Sequence, residues 1–520
     1  MKANSILNDV LGPVMRGPSS SHTAASYHIG ALARSLLGEA AAKARFVFNS
    51  DGSWAEVYRQ QGSDLGFAAG LMGWAITDDR FLHALDVAAA HGLAIQFAAE
   101  PLPHADHPNV VEIEMTSVGG RSLSLVAKSI GGGAVLVTRL ADWPVHLSGD
   151  AHEVLVELDR QAQPTVLELL GQSGNELQAP QTQARGSKVL LHLRYSTPLA
   201  PEIKVQLETM PDVLELWTAA PVFFSQEGRP LFASAVEMVS QAEARDCSLG
   251  QMALEYESSL LGIASSDVMA EVHRRFEVMR EAVHRGLGTD LAPMQLLRPS
   301  AEQIYRSEAA GLLAAGGLHT RAAARALAVM HVNGGMGVVC AAPTAGSAGT
   351  IPAVAVTLAE EMGLGSDEIA RALLAAGAVG LIVANRATFA AEVAGCQVEI
   401  GASGAMAAAA VVEAEGGPAR QAADAAAIAF QNTMGSVCDL VQGIVEIPCH
   451  TRNAVAASSA FVCADLVLGG YTNPIPLDET IDAVYAVGKM LPRELKVTAL
   501  GGLAQTPSAL AMPRLRAEPD

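Results

Sequence analysis

Three cysteines in the second half of the chain could bind a metal centre. Cys396, Cys438 and Cys449 have 41 and 10 residues between them. This spacing lacks the compact C-x-x-C pattern of common cluster and zinc motifs, and a buried free cysteine is ordinary in protein cores. Their neighbours favour ligands, because each is expected to begin or interrupt an Ala/Gly-rich helix whose terminus would stabilise a thiolate. On spacing alone, both interpretations stay open. The remaining cysteines are predicted to be packed core residues: Cys247, Cys340 and Cys463.

A hydroxyl-rich segment near the start of the chain could bind a carboxylate. Ser19, Ser20, Ser21, His22 and Thr23 precede an apolar-periodic stretch that predicts a helix. The first backbone N–H groups of a helix lack partners inside the helix, and such a terminus can hold an anion. The alternative is that one serine simply caps the helix.

A glycine-rich segment spans residues 333–349 and contains Asn333, Thr344 and Ser347. It lacks the G-x-x-x-x-G-K-[ST] pattern, which argues against a nucleotide-binding loop. Two interpretations remain: a small-residue hinge that lets the backbone approach a compact ligand, or close packing of helices.

The order of predicted elements indicates a multidomain α+β protein. A chain of 520 residues exceeds the roughly 250–300 residues at which one core usually stops growing. Residues 1–145 alternate helical and strand-like pieces and predict an α+β domain. Residues 146–223 predict a small βαββαβ regulatory module, and residues 233–510 predict a large all-α domain.

Composition excludes several classes of partner. The formal net charge is −20, with 54 acidic and 34 basic residues, which would repel nucleic acid and anionic lipid. The longest uncharged stretch, residues 326–359, is broken by glycine and proline, so no membrane span is predicted. The first residues lack the apolar segment of a secretory signal, which predicts a cytoplasmic protein without structural disulfides.

Seven short motifs together resemble one known family. They are PSSSHT at 18–23, HPN at 107–109, SIGGG at 129–133, APTAGSAG at 342–349, GCQVE at 395–399, CDLVQGIVEIPC at 438–449 and RNA at 452–454. In this order they resemble the iron-sulfur L-serine dehydratases over nearly the whole chain. The chain would then fuse two parts that some bacteria keep as separate subunits.

The resemblance implies a fold, a cofactor and an effector for the three predicted domains. Residues 1–145 would form the family's β-type domain. Residues 146–223 would be an ACT-like module that senses an amino-acid effector. Residues 233–510 would be the catalytic domain, with a [4Fe-4S] cluster on Cys396, Cys438 and Cys449 and a fourth iron open to substrate.

The resemblance also implies elimination of water from L-serine, a small β-hydroxy amino acid, to give pyruvate and ammonia. Candidate catalytic residues are His22, His107 and His450. Candidate substrate-binding residues are Ser19, Ser20, Ser21, Thr23, Ser63, Asp64, Asn109, Asn333, Thr344, Ser347, Arg452 and Asn453. His450 directly follows Cys449, where relatives usually carry another residue type. We predict that it faces the substrate pocket, with a surface or outer position as the alternative.

One departure from the family pattern leaves the general base and the substrate open. Gln61 stands where relatives usually carry a histidine inside a G-H-G-[ST]-D motif. Alternative substrates are threonine or a hydroxymethyl dicarboxylate, and a degenerate amino-acid-sensing relative is a further alternative. A pyridoxal phosphate enzyme is disfavoured, because no lysine lies between Lys204 and Lys489 to form a Schiff base. A homodimer is expected, because small-residue helices and ACT-like modules commonly pair.

Overall fold

The computed structural model describes residues 3–103, 105–174 and 176–514, and the chain divides into two compact units. One unit joins the segment that ends at Thr23 to the segment that begins at Arg229. The other unit runs from Ala24 to Gly228. The predicted domain 1–145 therefore differs from the structure at its start, because residues 3–23 belong to the other unit.

The first sheet of the unit 24–228 has six strands. In spatial order they are Ala94–Glu100, Ala41–Asn49, Val110–Ser117, Ser122–Gly131, Ala134–Leu140 and Trp143–Leu147. The first two are parallel and the other neighbours are antiparallel. Leu123, Leu125 and Ala127 are buried in alternation, as expected when successive side chains point to opposite faces. The α-helices of this part are Ala25–Leu37, Ser53–Val57, Ser63–Met72 and Ala84–Ala90.

The second sheet of this unit has four antiparallel strands. In spatial order they are Val213–Ala219, His152–Asp159, Lys188–Tyr195 and Gln181–Arg185. The helices Gln163–Gly171 and Pro201–Thr209 complete a strand–helix–strand–strand–helix–strand order along the chain. Their apolar residues, including Val166, Leu170 and Leu207, share one buried cluster with the strands. That this module is ACT-like stays a prediction.

The other unit is mostly helical. Its α-helices are Ala235–Ala244, Leu249–Leu261, Ser265–Gly286, Ala301–Ala309, Leu318–Gly334, Thr350–Glu361, Ser366–Arg386, Ala391–Ala394, Ile400–Ala414, Ala419–Thr433, Cys449–Leu468, Leu477–Met490 and Pro507–Leu510. The prediction that residues 233–510 are all-α needs one correction. Val338–Cys340 is a strand that pairs antiparallel with Val14–Arg16.

Small residues and buried hydrogen bonds attach the N-terminal segment to this helical unit. A π-helical turn, Ile6–Val10, packs against Gly377 and Gly380. A Cβ added to Gly377 would lie 2.5 Å from Ile6 Cγ2, and a Cβ added to Gly380 would lie 2.2 Å from Val10 Cγ1. The Glu257 carboxylate accepts hydrogen bonds from the Ile6 and Leu7 backbone N–H groups at 2.8 and 3.0 Å. These contacts are the physical reason that residues 3–23 do not belong to the α+β unit.

Within 3–103, 105–174 and 176–514, no helix combines the length and the apolar character needed to cross a bilayer.

Candidate active site

The three candidate metal-binding cysteines meet in one buried cluster. Cys396 begins a 3₁₀ turn before the helix Ile400–Ala414, and Cys449 is the first residue of the helix Cys449–Leu468. Cys438 lies instead in an extended segment, whose backbone bonds to that of Leu495 and Val497. The cysteines are 1%, 2% and 3% exposed, respectively, and all three are free thiols. The fold thus brings together thiols that are far apart in the sequence.

The donor atoms of this cluster suit an iron-sulfur centre. The Sγ atoms of Cys396 and Cys438 and one carboxylate oxygen of Glu399 lie within 4.8 Å of one another. Cys449 packs in the same buried cluster, where burial and then the charge of Cys396 raise its pKa well above the usual value. Buried thiolates that repel one another are stabilised by a metal cation. Sulfur ligands are the ones that iron-sulfur clusters use, so these residues fit a [4Fe-4S] group.

Arg452 places a positive charge against this cluster from the first turn of the helix Cys449–Leu468. Its Nη1 donates to Cys396 Sγ at 3.6 Å and to the Val437 carbonyl at 2.7 Å. Its Nη2 donates to Asp439 Oδ1 at 3.0 Å. Arg452 therefore contacts the cysteine cluster through Cys396, and its contact with substrate stays a prediction.

Asn453 fixes the loop that carries Thr344 and Ser347. Its Nδ2 donates to the carbonyls of Gly346 and Cys449, each at 2.9 Å, and its Oδ1 accepts from the Thr350 hydroxyl at 2.9 Å. Thr344 and Ser347 are buried, with 3.1 Å between their hydroxyl oxygens. The glycine-rich segment therefore places a pair of hydroxyl groups beside the cysteine helix.

His22 lies among the serine hydroxyls of its own segment. The Oγ atoms of Ser19 and Ser21 are each 3.1 Å from His22 Nδ1. Burial lowers the pKa of His22 to about 4, so its imidazole is neutral at neutral pH and can accept a proton. The helix Ala25–Leu37 itself has Ala24 as its N-cap, and no side chain caps it.

Ser20 and Thr23 belong to the same segment, which Asn333 holds in place. Ser20 begins the π-helical turn Ser20–Ala24, and both residues are buried. Asn333 Nδ2 donates to the Pro18 carbonyl at 3.3 Å. A Cβ on Gly17 would lie 2.2 Å from the Asn333 carbonyl oxygen, so glycine is needed for this approach. The predicted Asn333 is thus beside the predicted hydroxyl segment.

His450 is buried next to a second histidine that the sequence analysis missed. The rings of His331 and His450 are 5.5 Å apart, and the two residues are 2% and 1% exposed. Within the described part of the chain, neither ring nitrogen of His450 has a side-chain hydrogen-bond partner. Burial lowers the pKa of His450 to about 3 and that of His331 to about 4. His450 is therefore an interior residue, and the surface alternative is wrong.

The remaining predicted residues lie in the unit 24–228. Ser63 and Asp64 begin the helix Ser63–Met72, and burial raises the pKa of Asp64 to about 6. The backbone N–H of Asn109 donates to His107 Nδ1 at 3.1 Å, just before the strand Val110–Ser117. Among the described residues, the side-chain oxygens of Ser63 and Asn109 have no hydrogen-bond partner, although both are buried. Such unpaired polar atoms are unusual in a core and suit a ligand.

Glu399 is a second residue that the sequence analysis missed. The GCQVE motif contains it, three residues after Cys396. Side chains at i and i+3 of a 3₁₀ turn project from the same side. The three-residue separation from Cys396 was therefore the feature of the sequence that could have identified Glu399.

Comparison with known proteins gives consistent matches. Residues 231–504 match the family model described as "Serine dehydratase alpha chain". The "Probable L-serine dehydratase, alpha chain" of Bacillus subtilis (strain 168) is 37% identical over 278 residues, which are 54% of this chain and 93% of that protein. The "L-serine dehydratase, alpha chain" of Peptoniphilus asaccharolyticus is 34% identical over 272 residues, 52% and 93% of the two chains. The "Probable L-serine dehydratase, beta chain" of Bacillus subtilis is 39% identical over 156 residues, 30% and 69% of the two chains.

Proposed function

Because the chain belongs to the serine dehydratase alpha-chain family, we propose that it is an iron-sulfur L-serine dehydratase that converts L-serine into pyruvate and ammonia. Its similarity to a beta chain as well supports the fusion of both parts in one polypeptide. The observation that carries the proposal is the meeting of Cys396, Cys438 and Cys449 in one buried cluster, beside a loop of buried hydroxyl groups.

The reaction removes a proton from Cα and hydroxide from Cβ of serine. When bound to the three cysteines, a [4Fe-4S] cluster supplies a Lewis acid that assists the departure of the hydroxyl group. The organic product is an enamine, which tautomerises to an imine. Water then hydrolyses the imine to pyruvate and ammonia, so that the water released in the elimination is consumed in the hydrolysis.

The side chains of the helical unit supply binding and proton transfer. The hydroxyl groups of Ser19, Ser20, Ser21 and Thr23 bind the substrate carboxylate, and Thr344 and Ser347 orient the substrate by hydrogen bonds. The neutral imidazole of His22 accepts the α-proton, since the serine hydroxyls at Nδ1 fix the direction of the ring. Most of these groups are buried, which limits competition from water: Ser20, His22, Thr23, Thr344 and Ser347.

The roles that the resemblance gives to the other residues remain part of the proposal. His107, Asn109, Ser63 and Asp64 are substrate or proton-transfer residues of the α+β unit, and His450 faces the substrate. An amino-acid effector binds the module at 146–223. The enzyme acts as a cytoplasmic homodimer.

The direct test is a turnover assay on protein purified without oxygen. We expect release of pyruvate and ammonia in equal amounts from L-serine, and slower turnover of threonine. Turnover of threonine or a hydroxymethyl dicarboxylate in preference to serine would show that the substrate is not serine. That is the alternative suggested by Gln61 in place of the usual histidine. Binding of an amino acid without any release of ammonia would contradict enzymatic function and support a sensing role.

A further inference from the structure

A carboxylate shares the space between two of the thiols that would bind the cluster. One oxygen of Glu399 and the Sγ atoms of Cys396 and Cys438 lie within 4.8 Å of one another. The arrangement follows from local structure, because Cys396–Val398 is a 3₁₀ turn and the Glu399 backbone N–H donates to the Cys396 carbonyl at 3.1 Å. In such a turn the side chains at i and i+3 are eclipsed, which aims Glu399 toward the cysteine.

The Glu399 carboxylate lacks an ion-pair partner in the part of the chain that the structure describes. Among residues 3–103, 105–174 and 176–514, no lysine, arginine or histidine forms an ion pair with this carboxylate. The nearby Arg452 is bonded to Asp439 and Cys396 instead. The Glu399 side chain is half-buried. A carboxylate that is partly withdrawn from water beside thiolates is costly unless a metal ion or a proton neutralises it.

Glu399 also contacts the loop that carries the proposed substrate-binding hydroxyls. Its carboxylate is hydrogen-bonded to the Thr344 side chain. A Cβ on Gly346 would lie 3.5 and 3.6 Å from the two carboxylate oxygens, so glycine leaves the carboxylate room on that side. Glu399 therefore lies between the cysteine thiols and the substrate loop.

The other three cysteines cannot complete the set of ligands. Cys247, Cys340 and Cys463 do not belong to the buried cluster that holds Cys396, Cys438 and Cys449. Three thiolates leave one iron of a [4Fe-4S] cluster without a protein sulfur. Carboxylate oxygen is an established ligand for iron in proteins.

We propose that Glu399 is the fourth protein ligand of the cluster, at the iron that the three cysteines leave open, and that it gives up this position when substrate binds. The proposal rests on the proposed function, since it requires the cluster. It assigns to Glu399 a role in retaining the labile iron when serine is absent.

The test measures iron loss from anaerobically purified full-length protein after exposure to air, together with Mössbauer spectra with and without L-serine. Glu399→Gln removes the charge at nearly constant shape, and Glu399→Asp keeps it. Glu415→Gln is the control, because Glu415 is an exposed acidic residue at the far end of the helix Ile400–Ala414, outside the group of Glu399, Cys396 and Cys438. We expect E399Q to lose its first iron at least tenfold faster than the wild type, E399D to fall between them, and E415Q to match the wild type.

Spectra separate the ligand proposal from the proposed function. Without serine, the Mössbauer signal of one iron site should differ between the wild type and E399Q. Added serine should remove that difference. Equal iron loss and equal spectra in wild type and E399Q would overturn the ligand proposal and leave the dehydratase intact. Wild-type protein without iron or serine turnover would overturn the proposed function as well. If E399Q is isolated without iron, retention of iron in E399D supports the proposal, and equal loss in E399D contradicts it.

Discussion

At the residue scale, the guanidinium of Arg452 is the positive group that the cysteine cluster contacts. It bonds to Cys396, Asp439 and the Val437 carbonyl, so Arg452→Ala would leave a buried carboxylate and a thiolate unpaired. Removal of one partner from a buried ion pair typically costs about 3–5 kcal/mol. We expect R452A to contain less iron per chain after anaerobic purification, measured by chemical iron analysis.

Arg420 offers a matched control for this prediction. Its Nε is 2.9 Å from Glu243 Oε1, and both side chains of this pair are largely exposed. Exposed ion pairs contribute little, so Arg420→Ala should keep the wild-type iron content. Equal iron in R452A and R420A would show that Arg452 does not stabilise the site.

His22 gives a second prediction at this scale. General base catalysis contributes roughly 10²–10⁴-fold to a rate, so His22→Gln should lower kcat by about that factor with a smaller change in KM. Because burial sets the pKa of His22 at about 4, the base is already in its neutral form well below pH 6.5. Protonation of His22 should therefore lower the wild-type kcat only as the pH approaches about 4. An unchanged kcat in H22Q would exclude His22 as the base.

The order of the motifs predicted the cysteine and hydroxyl residues of the site, whereas spacing alone left the alternatives open. It missed Glu399 and His331 because the significance of each depends on a partner far along the chain. Glu399 matters beside Cys438, and His331 matters beside His450. Local patterns do not predict which distant side chains will meet.

At the element scale, helix crossings depend on glycines that face another backbone. A Cβ on Gly286 would lie 2.0 Å from the Ala328 carbonyl oxygen, where the helices Ser265–Gly286 and Leu318–Gly334 meet. Gly286→Ala should therefore lower the free energy of unfolding by about 1–3 kcal/mol, the usual cost of overpacking. Urea denaturation followed by far-UV circular dichroism measures this change.

Gly404→Ala is the control for that crossing. Gly404 is a buried helical residue whose added Cβ would meet only Ala456 Cβ, at an ordinary 3.6 Å. We expect it to be neutral or slightly stabilising, because alanine favours the helix over glycine. If both variants lost the same stability, the close approach at Gly286 would not be the cause.

His28 makes the stability of the α+β unit depend on pH. It is buried on the helix Ala25–Leu37, its Nδ1 donates to the Gly133 carbonyl at 2.8 Å, and burial lowers its pKa to about 4. The unfolded chain binds a proton at this histidine below about pH 6.5, whereas the folded chain does not until about pH 4. The contribution of neutral His28 to the free energy of unfolding is therefore fully present above about pH 6.5, and it is lost as the pH falls from there toward about 4.

The measurement uses tryptophan fluorescence, because all four tryptophans lie in the unit 24–228. The loss of unfolding free energy between about pH 7 and about pH 5 should be about 2 kcal/mol smaller in His28→Asn than in the wild type. His83→Gln, which changes an exposed histidine, should keep the wild-type dependence. Identical pH profiles for H28N and wild type would contradict this account.

Periodicity predicted the order of elements in residues 146–223 well, because each strand and helix there has its own local pattern. It failed for the strand Val338–Cys340, which has three residues and pairs with Val14–Arg16 from the far end of the chain. Such long-range pairing leaves no local signal.

At the scale of the whole molecule, the same absence of local signal explains why the predicted domain 1–145 differs from the structure at its start. Residues up to Thr23 join the helical unit through contacts with Glu257, Gly377 and Gly380, all more than two hundred residues away. The homodimer, the amino-acid effector and the cytoplasmic location stay predictions. They concern partners and surroundings of the chain.

The most direct test of the central claim is the iron and sulfide content of Cys438→Ser beside Cys463→Ser, both purified without oxygen. Cys463 is a buried thiol on the helix Cys449–Leu468 that lies outside the cysteine cluster. We predict about four irons and four sulfides per chain in the wild type and in C463S, as a [4Fe-4S] cluster requires, and a loss of most of both in C438S. Equal iron and sulfide in the two variants would contradict the proposal that Cys396, Cys438 and Cys449 hold the cluster.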